Sequence, residues 1–175
     1  MKPRHTMLMS ERVSMREVRL QVFWSVVALL ALAGPMAGAA PAGNPSAMVV
    51  LPSGRILQVE VADTPAAREL GYMFREKISD DEGMVFLMDQ PGFHSFWMKN
   101  CKVDLDILWL DEAWKVVHLE RNLKPCRKEP CPSYLPMQAS LYVLELRGGL
   151  AAREGLGLGS HIIYNPSEPP RSHHK

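Results

Sequence analysis

The chain of 175 residues holds only three cysteines, too few for a disulfide-dense scaffold and without the second pair that a structural zinc site needs. It has no glycine-rich phosphate loop, no dinucleotide fingerprint and no EF-hand spacing, so the common nucleotide and calcium cradles are missing. Neither predicted helix carries a pair of carboxylates at catalytic spacing. No charge of one sign dominates, because 20 Lys and Arg stand against 19 Asp and Glu. No basic stripe runs along a predicted helix, which argues against nucleic acid as a partner. Internal repeats and heptads do not occur, which excludes solenoids and coiled coils.

The N-terminal apolar run, Val22 to Ala33, has 12 residues and no charge. A spanning helix takes about 20, so the run is short for a membrane anchor. Lys2, Arg4, Arg12, Arg16 and Arg19 precede it, and the small residues Ala37-Gly38-Ala39 follow. A basic lead, a short apolar core and a small-residue exit predict a signal peptide over residues 1–40, cleaved near Ala39 or Ala40. Met15 is an alternative start, since MREVRLQVFW is already a conventional basic lead. No cysteine follows the cleavage region, so a lipid anchor is not expected. The mature chain then keeps 15 basic and 17 acidic residues and is expected in the periplasm or outside the cell, meeting the membrane only during export.

After a flexible lead-in at 41–46, a single β-rich domain is expected over 47–164, with a disordered tail at 165–175. Met48–Leu51 and Arg55–Ala62 flank Pro52-Ser53-Gly54 and read as a hairpin. Thr64-Pro65 starts a short helix that Gly71 stops. Met84–Met88, Leu105–Leu110, Lys115–Glu120, Leu141–Leu146 and Ser160–Tyr164 read as further strands, and Leu150–Glu154 as a second short helix. About eight strands and two short helices predict a mainly β fold, a small barrel or a jelly-roll-like sandwich. The helices are too short for repeated βαβ units. Cys126 and Cys131 close the proline-bracketed loop PCRKEPCP, a spacing that fits a disulfide contributing about 2 kcal/mol. Cys101 is left unpaired.

The densest stretch is Phe96–Asp106, FWMKNCKVDLD. A strand burying Phe96 and Met98 is expected to bring Asn100, Cys101 and Asp106 to one corner. Together with GYMFRE at 71–76, EGMVF at 82–86, LDILWLD at 105–111, ERN at 120–122, YVLEL at 142–146 and AAREGL at 151–156, this stretch resembles the domain-of-unknown-function family 192. The resemblance spans about Val49 to Ile163. It implies an exported or envelope-associated β domain and no established activity. Cys101 stands where that family usually has Thr, so the resemblance implies no thiol chemistry there; Asp104 and Tyr72 depart from the pattern too.

Met73, Arg75, Trp97, Met98, Asn100, Asp106 and Glu145 are the expected ligand-binding residues of a groove near the FWMKN segment. Its guest is expected to be a small molecule, a glycan or an envelope protein. Two readings compete. Arg75 and Asp106 can form a buried register-fixing pair, or Asp106 can act as general base, with Arg75 holding an anion, in a hydrolase or lyase of envelope material. Met73, Met84, Met88, Met98, His94, His118 and Cys101 suit copper(I) by donor type. They alternate with Phe and Leu as core residues do. No metal and no other cofactor is expected.

Overall fold

A computed structural model describes residues 46–167; the expected signal peptide, the lead-in up to residue 45 and the tail from residue 168 lie outside the described residues. Strands β1 (Ser46–Val50) and β2 (Ile56–Ala62) form the expected hairpin, paired from Ser46↔Glu60 to Val50↔Ile56. Helix α1 (Pro65–Leu70) follows. Its cap Thr64 accepts a 3.2 Å bond from the Ala67 amide through its hydroxyl. Strand β3 (Glu82–Gly92) then pairs with β2 in parallel, so α1 and residues 71–81 make one crossover in an otherwise antiparallel sheet.

The remaining elements are β4 (Phe96–Trp97), β5 (Leu105–Leu110), β6 (Val116–Leu123), β7 (Ser133–Tyr134), β8 (Ser140–Arg147), α2 (Leu150–Arg153) and β9 (Ile163–Pro166). Seven strands run in the order β6-β5-β8-β3-β2-β1-β9, and β4 pairs with β7 in a small separate ribbon. The fold is mainly β, as expected, with nine strands among the described residues rather than about eight. Asn165 and Pro166 belong to β9, so the sheet runs slightly past the expected domain end.

The sheet curls without closing. Val49 of β1, Leu57 and Val59 of β2, Val85 of β3, Leu144 of β8, Leu108 of β5 and Val116 of β6 all join one buried cluster on the concave side. Burying such aliphatic side chains stabilises by about 1.5–3 kcal/mol each. The two edges meet at one end only: Val116 N donates to Ser160 O (2.9 Å) and Ile162 N to Trp114 O (2.9 Å). A sandwich-like arrangement fits this geometry; a closed barrel does not.

A second cluster covers the convex side of β3, β8 and β5. Met84, Phe86, Val143, Leu105, Ile107 and Trp109 meet Tyr72, Ile78, Met98 and Cys101 from the overlying loops. Two contacts fix those loops. Trp109 Nε1 donates to His94 O at 2.8 Å, and Met98 O accepts from Cys126 N at 3.0 Å, so the Cys126–Cys131 disulfide is tied to the FWMKN segment. That segment is not a long strand. β4 has two residues, and the chain turns at Asn100, whose φ is 56°.

Trp114 lies between Tyr142 and Tyr164 in a stack, with ring centroids at 4.0 and 4.5 Å. This stack clips β9 to the β5–β6 turn. Trp114→Ala is expected to cost about 2–3 kcal/mol in urea unfolding. Amide exchange is expected to quicken at Val116 and Ile162 while the β5–β8 amides keep their protection.

Candidate functional site

Strand β5 is buried on both faces throughout, and β8 from Val143 to Leu146, so each residue there serves one of two cores. The register pairs Asp106 with Leu146 and Ile107 with Glu145. The two carboxyls therefore point to opposite sides of the sheet.

Asp106 points to the concave side and is 0% exposed. Its Oδ1 accepts from Asn122 N (2.6 Å) and Gly149 N (3.0 Å), and its Oδ2 from Ala151 N (2.7 Å). Three backbone donors on one carboxylate close the turn into α2, a charge-assisted arrangement worth about 1.5–3 kcal/mol per bond. Asp106 is a sealed architectural residue. The groove position and the general-base role expected for it are not realised, because no open surface reaches it.

Arg75 does not pair with Asp106 either. It forms a bidentate ion pair with Glu60, with Nη2 to Oε2 at 2.7 Å, and lies 5.0 Å from the Tyr72 ring centroid. The hydrogen bonds it donates to the Glu60 carboxylate hold the guanidinium firmly protonated. Asn100 is exposed; its backbone carbonyl accepts from Phe74 N at 2.8 Å, and its side-chain amide lies 3.8 Å from Met73 Sδ. Met98 is fully buried in the convex core.

Three of the seven expected residues, Met73, Trp97 and Glu145, do share a site. They line a pocket of about 360 Å³ between α1 and the 94–97 segment. Its other walls come from Gly71 and Tyr72 at the exit of α1, Phe86 and Met88 of β3, and His94, Phe96 and Cys101. Trp97 is 43% exposed at the mouth. Phe86 and Phe96 meet edge to face, centroids 4.9 Å apart.

Glu145 sits at the base. It is 3% exposed, and no protein group bonds its Oε2. The chain passes directly over it at Gly71, whose φ of 46° and ψ of −134° suit glycine alone. A Cβ at residue 71 would lie 3.5 Å from Glu145 Oε2 and 3.4 Å from Phe86 Cζ, so backbone strain rather than crowding is what demands glycine. Burial pushes the Glu145 carboxyl up to about 8, offset only in part by the Arg75 charge. Burial, with the Glu145 charge second, also pushes the Cys101 thiol up to about 12. The thiol is therefore a poor nucleophile.

The soft donor set is split. Met84 and Met98 are core residues, and the His118 ring lies against Trp109. Met73, Met88, His94 and Cys101 reach the pocket, but His94 Nε2 is 3.0 Å from Gln90 O. No group of three or more His, Cys, Asp and Glu suited to a metal occurs among the described residues. Sequence reasoning missed Tyr72, Phe86, Phe96 and Gly71 as pocket walls. The positive φ at a helix exit was the one local sign of the last.

The model of the domain-of-unknown-function family 192, described as uncharacterized ACR, matches residues 48–164, and the chain belongs to that family. No curated protein matches it significantly. Two crystal structures are similar. One, from Sinorhizobium meliloti, is described as a "putative transcription regulator"; it is 29% identical, with TM-score 0.63 over 71% of this chain and 98% of that one. The other, a protein of unknown function from Novosphingobium aromaticivorans, is 34% identical, with TM-score 0.62 over 72% of this chain and 94% of that one.

The raised Glu145 value has a definite sign in stability. The folded state holds its proton more tightly than the unfolded chain, so this group contributes most below the ordinary carboxylate value of 4.5. The contribution is lost as pH rises towards about 8. Glu145→Gln is expected to remove a loss of roughly 3–5 kcal/mol. In thermal unfolding from pH 5 to 9, the variant should match the parent in acid and exceed it in alkali.

Proposed function

We propose that this family member is an exported domain that binds a small molecule in the pocket between α1 and the Phe96–Asn100 segment. One observation carries the reading: Glu145 is buried at the base of a pocket, with an oxygen that no protein group satisfies. A buried polar atom left without a partner costs about 1–3 kcal/mol. Asp106, one strand away, shows that this fold satisfies a buried carboxylate fully where the role is architectural. A hollow of this size, with aromatic walls and one convergent polar group, is the form that small-molecule sites take. It is too small for a folded partner. The basic, apolar and small-residue blocks of the N-terminal sequence support export, and the disulfide agrees with an oxidising compartment.

A fragment library of small polar compounds, screened by NMR on protein with labelled methionine methyls, tests the pocket. Hits are expected to shift Met73 and Met88 together with the Trp97 indole, and Trp97→Ala is expected to weaken them about fivefold. A screen whose hits leave Met73 and Met88 unmoved contradicts the reading.

A further inference from the structure

The charges around the pocket are unevenly matched. Arg68 donates to Asp63 O (3.2 Å) and Leu87 O (2.7 Å) and pairs with Asp89 (3.1 Å). Arg75 is taken by Glu60, and Lys99 by Glu129 at 3.0 Å. Among the described residues, every cation near the pocket thus has an acidic partner. Among the described residues no cation bonds Glu145 Oε2, which meets only the more distant charge of Arg75, and the exposed rim residue Glu69 forms no ion pair.

The ring faces suit positive charge. Arg75 lies over Tyr72 at 5.0 Å, and Lys99 over Trp97 at 5.2 Å, so two wall rings each already hold a cation of the chain. Phe86 and Phe96 carry no such charge and form the inner wall. A metal ion is disfavoured by the same geometry. His94 Nε2 faces a carbonyl, Met73 Sδ faces the Asn100 amide, and the Cys101 thiol is held protonated.

We propose that the pocket takes a small organic ammonium ion, with its charge against the Glu145 carboxylate and its alkyl groups against the aromatic wall. The proposal rests on the pocket reading above and names its ligand class. Binding ionises Glu145, whose proton leaves to solvent, so affinity is linked to pH. The groups facing Glu145 are Tyr72, Arg75 and its partner Glu60, Cys101, and at the rim Arg68, Glu69 and His94. The variant Glu145→Gln separates its own contribution from theirs.

Choline is the probe, because its charge does not change with pH. Its uncharged dimethylbutanol analogue, with carbon in place of nitrogen, is the control. Titrations of the mature protein, followed by methionine-methyl NMR at about pH 6, 7, 8 and 9, are expected to show choline tightening about tenfold per unit and levelling above about pH 8. The analogue should bind at least tenfold more weakly at the top of that range. Glu145→Gln should abolish the pH slope. Trp97→Ala, at an exposed position, should weaken choline at every pH and keep the slope. If the analogue binds as well as choline, or choline weakens as pH rises, the ammonium proposal is overturned while the pocket stands. If neither compound moves Met73 or Met88 although fragments do, the same holds. If fragments fail as well, both readings fall.

Discussion

Strands β5 and β8 lie side by side within the sheet, and the side chains of Leu105–Leu110 and Val143–Leu146 must all be accommodated in one core or the other. Apolar residues meet that constraint by packing. The two carboxyls meet it in opposite ways. Asp106 draws two amides from the start of α2 and one from β6, so its carboxyl becomes the joint between β5, β6 and the second helix. Glu145 receives no such provision and keeps its proton instead. One carboxyl builds the fold, and the other marks the place where the fold leaves something unmade.

The loops above Glu145 are fixed in place rather than draped over it. Trp109 holds the 94–97 segment through His94 O, and the disulfide loop is hydrogen-bonded to Met98 O. Walls anchored in this way lose little freedom when a guest enters, which favours binding by a preformed pocket. The parallel β2–β3 crossover contributes the remaining wall, because it carries the exit of α1 across the convex face.

Local signals were legible in the sequence. The hairpin at Pro52-Ser53-Gly54, the Thr64 cap with Pro65, the run Leu105–Leu110 and the Cys126–Cys131 bridge all stand where turn chemistry, capping and spacing place them. The alternation of Leu105, Ile107 and Trp109 with Asp106 was legible too. What alternation cannot say is which face of β5 continues which face of β8, since that depends on a pairing between strands about 35 residues apart. Hence Asp106 was expected in the groove with Arg75, whereas the register sends it to the opposite core. The pocket walls come from separate segments around α1, β3, β4 and β8, and no local pattern joins them. A helix of six residues also gave no sign that its flanking strands run parallel.

The state of Glu145 is what the site depends on. Its side-chain carboxyl can be followed alone by carbon NMR in protein labelled at glutamate δ-carbons, with Glu145→Gln assigning the signal, from acid to alkaline pH. The structure predicts a single titration centred at about 8. A midpoint in the ordinary range of about 4–5 would mean that the carboxyl is solvated or paired, and the pocket would lose its anchor.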